Sequence, residues 1–596
     1  MRLADLLVRT LVEEYGIDTV FTVTGGGAMY LNDAFGGYGN SLNYIALHHE
    51  QSVAMAGESF AAITQGLGVC QVTTGPGGTN SVTGCAGAWI DSRPVLFISG
   101  QVESLSISGP GLRQTGVQEA KIIDLVASIT KASVRLDDPL SVLYELDRLI
   151  HIAMTGRRGP VWMDIPLDVQ SFMFSEITGL RRFTPQKPSP RTNALLDTKM
   201  GKLKNLLTSV RKPLLCIGEG ARRAGPELLK IAENLGVPVV LGWNAKDLYP
   251  EHHPLIQGTI GQFGNRGANL LTAKADLIIG VGFRFSVPQV GYDPSHFAPQ
   301  ATIVSVDIDP YELAKYGTFI DVSICADSVE FAQKLAGSVI TDPHPLKAQY
   351  SKWTTAACRL KALSLDRGPR DTSGVNSFDF TDRLGELLPK PSIIVTDMGT
   401  SFTCTHQHLK IKDGVRLFTS SGLAAMGFGL PGAIGAYYAS AGVEAITLIT
   451  GDGGLMFNLQ ELQSIVTHSI PLKIIIYENK GYLTMRLMQL GRFNRLVGSG
   501  PSSSLECPDF GRLCAAFGIK CHNVGRFAEI DSAIEWLYED LMTPSVLVVH
   551  LDQDQPLIPR VQTQTGSDGV LIPGVLKNMY PPLSPDQESE CERLFD

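Results

Sequence analysis

The sequence predicts an α/β protein made of three doubly wound parallel-sheet domains. Three observations carry that reading. The chain has 596 residues, which at about 150 residues per domain leaves room for three or four. Short β-rich runs alternate with helical patterns from end to end, the rhythm of parallel sheets covered on both faces. Two stretches, RRFTPQKPSPRTN (181–193) and LSLDRGPRDTSG (363–374), break that rhythm and read as linkers.

The first block spans 1–175. It opens on MRLADLLVRTLVEEYGIDTV, an amphipathic helix and not a leader peptide. TVFTVT, NYIAL, GVCQVTT, PVLFIS and PVWMDIP then read as strands, with helical patterns between them. The second block spans 190–345 and carries KPLLCIGEGARRAG, VPVVLGWN, DLIIGVGFRF and ATIVSVDIDP. The third spans 370–555, from SIIVTDMGTS through EAITLITGDGG and LKIIIYENKG to SVLVVHLD. The remainder, 556–596, is rich in Pro and Gly and reads as a C-terminal arm or lid.

Composition removes several function classes. The net charge is −9, so a phosphate-backbone binder is not indicated. No apolar run approaches the roughly 20 residues that span a bilayer. Ten cysteines are scattered without a regular framework, which fits a reducing cytoplasm. Cys507, Cys514 and Cys521 are evenly spaced but lack metal-ligand neighbours, so they read as small buried hydrophobes. The charged fraction of 18% is low, consistent with surface buried in domain or subunit contacts.

Chemistry concentrates in the third block. EAITLIT runs into Gly451, Asp452, Gly453 and Gly454, and a helical pattern, LMFNLQELQSIVTH, follows. Free N–H groups and the helix dipole at such a turn favour a phosphate. No Lys-Ser/Thr follows, so this is not a Walker loop, and the charge must be neutralised otherwise. Asp452 supplies a hard oxygen of the kind Mg²⁺ requires. The next strand, LKIIIYE, ends at Asn479, and a parallel neighbour would bring its amide oxygen to the same carboxyl edge. The Gly481 carbonyl is a third candidate ligand.

Glycine–aspartate–glycine followed one strand later by Asn resembles the diphosphate-binding motif of thiamine-diphosphate enzymes. The resemblance covers nearly the whole chain. LHHEQSVAMAGESFA is similar to the family's catalytic-glutamate helix. TTGPGGTNSVTGCAGAWIDSRPVLFISG, ITK (129–131), GRRGPVWMDIPLDVQ and SSGLAAMGFGLPGAIGA are similar to acetolactate synthases. The implied domain order is pyrimidine-binding, middle, diphosphate-binding.

The resemblance implies thiamine diphosphate and Mg²⁺ as cofactors and assigns roles to residues. Glu50 protonates the pyrimidine, so that the coenzyme's own imino group can take the thiazolium proton. Asp452, Asn479 and Gly481 hold the metal. Gly26, Thr400, Ser401, Ala424, Met426, Gly451, Gly453, Gly454 and Tyr482 contact the coenzyme, with Met426 beneath its two rings. Gln118 and Lys131 line the cavity, and Gln118 polarises the acceptor oxygen. FAD is implied along the middle domain as a structural group that some members have lost, with Arg284 at its phosphates and Asp307 or Asp309 near a ribose. The activity implied is decarboxylation of pyruvate, or a similar 2-keto acid, and transfer of the acyl-anion unit to an acceptor carbonyl. A homodimer or homotetramer with sites between subunits follows from the same resemblance, with neither nucleic acid nor membrane as partner.

The pattern departs from acetolactate synthases in several places. Thr400 and Ser401 replace a Gln-His pair, and Ala424 replaces a glycine. Pro288 stands where a second arginine would meet the carboxylate of a second keto acid. Val117 replaces an aromatic residue and Met488 a tryptophan. The last three differences concern the acceptor, which leaves a ketone such as a keto sugar beside a second keto acid. A 2-keto acid decarboxylase or oxidase, and a non-catalytic homologue, are the alternative classes.

Overall fold

The computed structural model describes residues 1–185, 191–339, 342–363, 374–440, 445–565 and 571–595. Three six-stranded sheets follow one another along the chain, all with parallel pairing. The first contains β1 (Thr19–Thr22), β2 (Asn43–Ala46), β3 (Gly68–Val72), β4 (Val95–Gln101), β5 (Ala132–Arg135) and β6 (Val161–Pro166). The second contains β7 (Pro213–Ile217), β8 (Val239–Leu241), β9 (Ile256–Thr259), β10 (Leu277–Val281), β11 (Thr302–Asp307) and β12 (Val322–Cys325). The third contains β13 (Ser392–Thr396), β14 (Val415–Phe418), β15 (Ala445–Gly451), β16 (Lys473–Glu478), β17 (Lys520–Val524) and β18 (Ser545–His550). Central strands such as VLFISGQ and KIIIYE are buried along their whole length, as strands covered on both faces must be.

The first and third sheets share one topology. Their orders are β2-β1-β3-β4-β6-β5 and β14-β13-β15-β16-β18-β17. The middle sheet is different, with β12-β11-β10-β7-β8-β9. Counted within its own domain this is 3-2-1-4-5-6 read from the other edge, the dinucleotide-binding order.

The middle domain extends past residue 345. The helix His344–Leu363 buries Tyr350 and Trp353 against it, because the indole and phenol hydrogens reach the Pro213 and Leu207 carbonyls. Most of the second linker lies outside the described residues, as do 186–190 of the first. The C-terminal arm lies on the middle domain: Leu576 and Cys591 join its core, and Arg266 donates to the Met579 and Pro581 carbonyls at 3.1 and 2.7 Å. The helix Glu50–Thr64 of the first domain packs against Gly429–Ala439 of the third, and one apolar core runs through both domains.

Candidate active site

In the third sheet the strand order reverses between β13 and β15, and the loops after these strands face each other. Open α/β sheets bind ligands at such a crevice. One loop, Asp397 to Gly399, opens the nine-residue helix Thr400–His408. The other is Gly451, followed by a four-residue turn, Asp452–Leu455. The longer helix expected after the glycines breaks there and resumes at Glu461–Thr467. The helix at Thr400 therefore has the stronger N-terminal field for an anion. A Cβ on Gly399 or Gly451 would meet nothing within 4 Å, so space is open above both strand ends.

Asp452 is 1% exposed. Its Oδ1 accepts from the Gly453 N–H at 2.8 Å, and its Oδ2 from Gly481 at 2.9 Å and Asn479 at 3.2 Å. Burial pushes its carboxyl up to about 6 against the pull of these donors. Asn479 donates through Nδ2 to Thr400 Oγ1 at 3.3 Å. Its Oδ1 is buried and has no hydrogen-bond partner. An unsatisfied buried acceptor costs roughly 1–3 kcal/mol, and a cation would complete it. Asp452, the free oxygen of Asn479 and the turn at Gly481 thus form a hard-oxygen set that fits Mg²⁺.

The neighbours close this set tightly. A Cβ on Gly453 would meet the Tyr482 ring at 2.3 Å, and one on Gly454 would meet Asp397 Oδ2 at 3.0 Å. The Ser401 hydroxyl donates back to the Asp397 and Met398 carbonyls of the preceding loop, both at 3.0 Å. Its contribution to an anion is then the N–H of the first helical turn.

Asp397 escaped the sequence reading. It is 1% exposed and accepts from Met398 N at 2.7 Å, Gly427 N at 3.1 Å, Gly429 N at 3.4 Å and Thr450 Oγ1 at 3.2 Å. It ties the segment carrying Ala424 (φ +58) and half-buried Met426 to the two strand ends. Its signal was available: SIIVTD places an Asp at a strand end, as EAITLITGD does.

In the first domain, Glu50 begins the helix Glu50–Thr64 and is 8% exposed. His49 caps that helix, its Nδ1 accepting from Gln51 N at 3.0 Å, and Glu50 Oε2 accepts from Asn80 at 2.9 Å. Gly26 follows β1 at the same carboxyl edge. Exposed Gln118 (φ +65) reaches that edge through its backbone, since a Cβ on Gly75 would meet its carbonyl at 2.2 Å. Lys131 stands apart. It precedes β5 at the opposite edge, and its Nζ donates to the Ile152 carbonyl and, at 2.7 Å, to that of Thr155. Strand direction thus separates it from Glu50 within one chain, and it caps the carbonyl end of the helix Val142–Met154.

Arg284 and Asp307 line a cavity of about 310 Å³ where the three domains meet. It opens at the switch point between β7 and β10, where a Cβ on Gly218 would meet the Gly282 carbonyl at 2.1 Å. Arg284 donates to the Ile90 carbonyl at 2.9 Å and pairs with Glu312 at 3.3 Å. Asp307 accepts from Asp309 N at 2.9 Å, and burial raises its carboxyl above the usual range. Asp309 itself pairs with Arg157 at 2.9 Å. Trp243, also on the cavity, has a buried indole N–H without a partner, so the lining fits a polar ligand such as a flavin dinucleotide.

Three family models match the chain in order. They are the N-terminal TPP binding domain of thiamine pyrophosphate enzymes over residues 1–127, the central domain over 200–335 and the C-terminal TPP binding domain over 397–550. The chain belongs to the thiamine pyrophosphate enzymes. Among curated members, a probable acetolactate synthase large subunit of Methanocaldococcus jannaschii is 32% identical, over 94% of each chain. Acetolactate synthase 1, chloroplastic, of Oryza sativa subsp. japonica is 31% identical, over 93% of this chain and 86% of its own. The acetolactate synthase large subunit of Lactococcus lactis is 28% identical, over 95% and 96%. This thiamine pyrophosphate enzyme is thus an acetolactate synthase-like transferase. Among the described residues, no helix is long and apolar enough to cross a membrane.

Proposed function

We propose that the enzyme decarboxylates pyruvate, or a similar 2-keto acid, and transfers the acyl unit to an acceptor carbonyl. The observation that carries this reading is the unpaired Asn479 oxygen beside buried Asp452, at the switch point that also holds the helix start at Thr400. Thiamine diphosphate, when bound, supplies the carbon nucleophile for the 2-keto acid. Asp452, Asn479 and the Gly481 carbonyl would hold Mg²⁺. The N–H groups at Thr400 and Ser401 would bind the diphosphate, with Gly451, Gly453, Gly454 and Tyr482 shaping its bed. Ala424 and Met426 would support the rings, Gly26 and Glu50 would meet the pyrimidine, and Glu50 would hold a proton at its ring nitrogen. Gln118 would orient the acceptor oxygen.

Pro288 supports an acceptor other than a second keto acid, because proline cannot pair with a carboxylate, and Val117 and Met488, in place of aromatic residues, support a pocket of different shape. FAD is proposed as a structural group on the strength of the middle domain's strand order and its cavity; flavin absorbance of the purified protein tests it. Exposed apolar residues on the two site-bearing domains, Val117 at 87% and Phe493 at 66% among them, support a homodimer or homotetramer with sites between subunits. Ten free cysteines support a reducing compartment. The deciding experiment is mass spectrometry of products from labelled pyruvate with thiamine diphosphate and Mg²⁺, with and without candidate ketones. Labelled ketone adducts or acetolactate support carboligation, and rapid acetolactate from pyruvate alone makes the acceptor a keto acid. An aldehyde as sole product would displace the proposal.

A further inference from the structure

The turn that carries Asn479 is held in an uncommon shape. Lys480 has φ +62 and Gly481 has φ +117, so two consecutive residues lie on the left-handed side. For lysine this conformation costs on the order of 1 kcal/mol and persists only where the surroundings enforce it. The surroundings here converge on Arg486, 9% exposed, in the helix Leu483–Phe493. Its Nη2 donates to the Asn479 carbonyl at 2.7 Å and the Gln553 carbonyl at 3.1 Å. Its Nη1 donates to the Lys480 carbonyl at 3.1 Å and the Ser499 carbonyl at 3.2 Å. Ser499 in turn accepts from Tyr482 N at 2.9 Å, and a Cβ on Gly481 would meet its carbonyl at 2.8 Å.

We propose that Arg486 is a positioning residue that holds the 479–481 turn ready for its cation. This rests on the reading of Asp452 and Asn479 as a metal site. One planar guanidinium satisfies four carbonyls from three chain segments, which no other side chain can do. Two of those carbonyls belong to the left-handed turn itself. Without the guanidinium they lose their donors, and the turn is free to relax to a more common conformation. The Asn479 oxygen, which has no protein donor of its own, would then leave the site. Arg486 also ties the turn to Gln553, just beyond β18, and to the loop at Ser499, so the geometry of the site depends on both segments.

The test uses Arg486→Met and Arg486→Lys in the full-length protein, with Mn²⁺ uptake in the presence of thiamine diphosphate as the readout. Removing outer support of a metal ligand typically weakens metal affinity ~10–100-fold. The Met variant is expected to fall in that range, and the Lys variant to show a smaller but measurable loss, since three ammonium donors replace part of the support but cannot serve four carbonyls. Excess metal should restore turnover, and the melting temperature should fall too little to explain the loss. Arg383→Met, which removes a surface pair with Asp531, should leave Mn²⁺ affinity unchanged. If the Met variant fails to fold, undiminished Mn²⁺ affinity in the Lys variant overturns the proposal. Equal affinity in all folded variants overturns the role of Arg486 alone. No Mn²⁺ uptake by the unaltered protein overturns the site reading together with it.

Discussion

Asp247 of the middle domain holds Arg222 of its own domain on one carboxylate oxygen, at 2.5 Å, and Arg416 of the third domain on the other, at 2.8 Å. Its side chain is 0% exposed. Glu219 continues the chain, pairing with Arg222 at 2.9 Å and with Arg93 of the first domain at 2.7 Å. A single run of alternating charges therefore crosses all three domains beside the cavity. Burial pushes the Asp247 carboxyl up, but Arg222 and Arg416 outweigh it and hold it below the usual range. Asp247→Asn would leave the arginines facing each other, at a cost of roughly 3–5 kcal/mol for breaking a buried pair. Urea unfolding reads this directly; a loss below about 1 kcal/mol would mean that water already screens the run.

The contact between the first and third domains depends on small residues. A Cβ on Gly435 would meet the Ala56 carbonyl at 2.2 Å, and a backbone atom cannot yield as a side chain can. Gly435→Ala should destabilise by about 1–3 kcal/mol through overpacking. Gly201, in the helix Arg191–Ser209, has nothing within 4 Å of the same position. Gly201→Ala should stabilise by about 0.5–1 kcal/mol. Thermal unfolding of the two variants gives opposite shifts on this account; shifts of the same sign would show that the helices slide to accommodate the methyl.

Glu50→Gln keeps the shape of the side chain and its contact with Asn80, but removes an acid. Turnover should fall by about 10²–10⁴-fold, the range for a positioned proton donor or acceptor. Thiamine diphosphate binding, followed by calorimetry, should change little, since the binding groups lie in the third domain. Retention of most activity would remove Glu50 from the chemistry.

Strand and helix alternation was legible throughout, because buried parallel strands read as unbroken apolar runs such as LKIIIYE. The glycine turn at Gly451 and the strand end at Asn479 were legible for the same reason: each punctuates such a run. Asp397 was legible as an Asp at a strand end, but its role was not, because the groups it holds come from residues 427, 429 and 450, which no spacing rule connects. Arg486 was hidden because it sits in a helix as an ordinary charged residue and acts on backbone carbonyls, which carry no sequence signature. Lys131 was placed with Glu50 by resemblance, and only strand direction shows that the two lie at opposite edges. The break after Leu455 was missed because its apolar pattern continues at helical spacing through the turn.

A second buried acid sets a pH dependence. Glu58 is 1% exposed, with its Oε1 unpaired, between the first-domain helices and Ser420 of the third. Burial, helped by neighbouring Asp91, pushes its carboxyl up to about 8 against the pull of the Ser420 hydroxyl and Arg93. The native protein therefore carries a proton there at neutral pH, while the unfolded chain, at the ordinary value of 4.5, does not. Folding takes up that proton between the two values, so stability is fully present below 4.5 and lost as pH rises toward about 8. The slope approaches ~1.4 kcal/mol per pH unit for one proton. Glu58→Gln is neutral at every pH and should flatten that contribution. Urea unfolding of both proteins across the window gives the difference curve, in which Asp91 and Arg93 are common to both. A difference curve that is flat with pH would mean that Glu58 is ionised in the native state and that a water or cation reaches it.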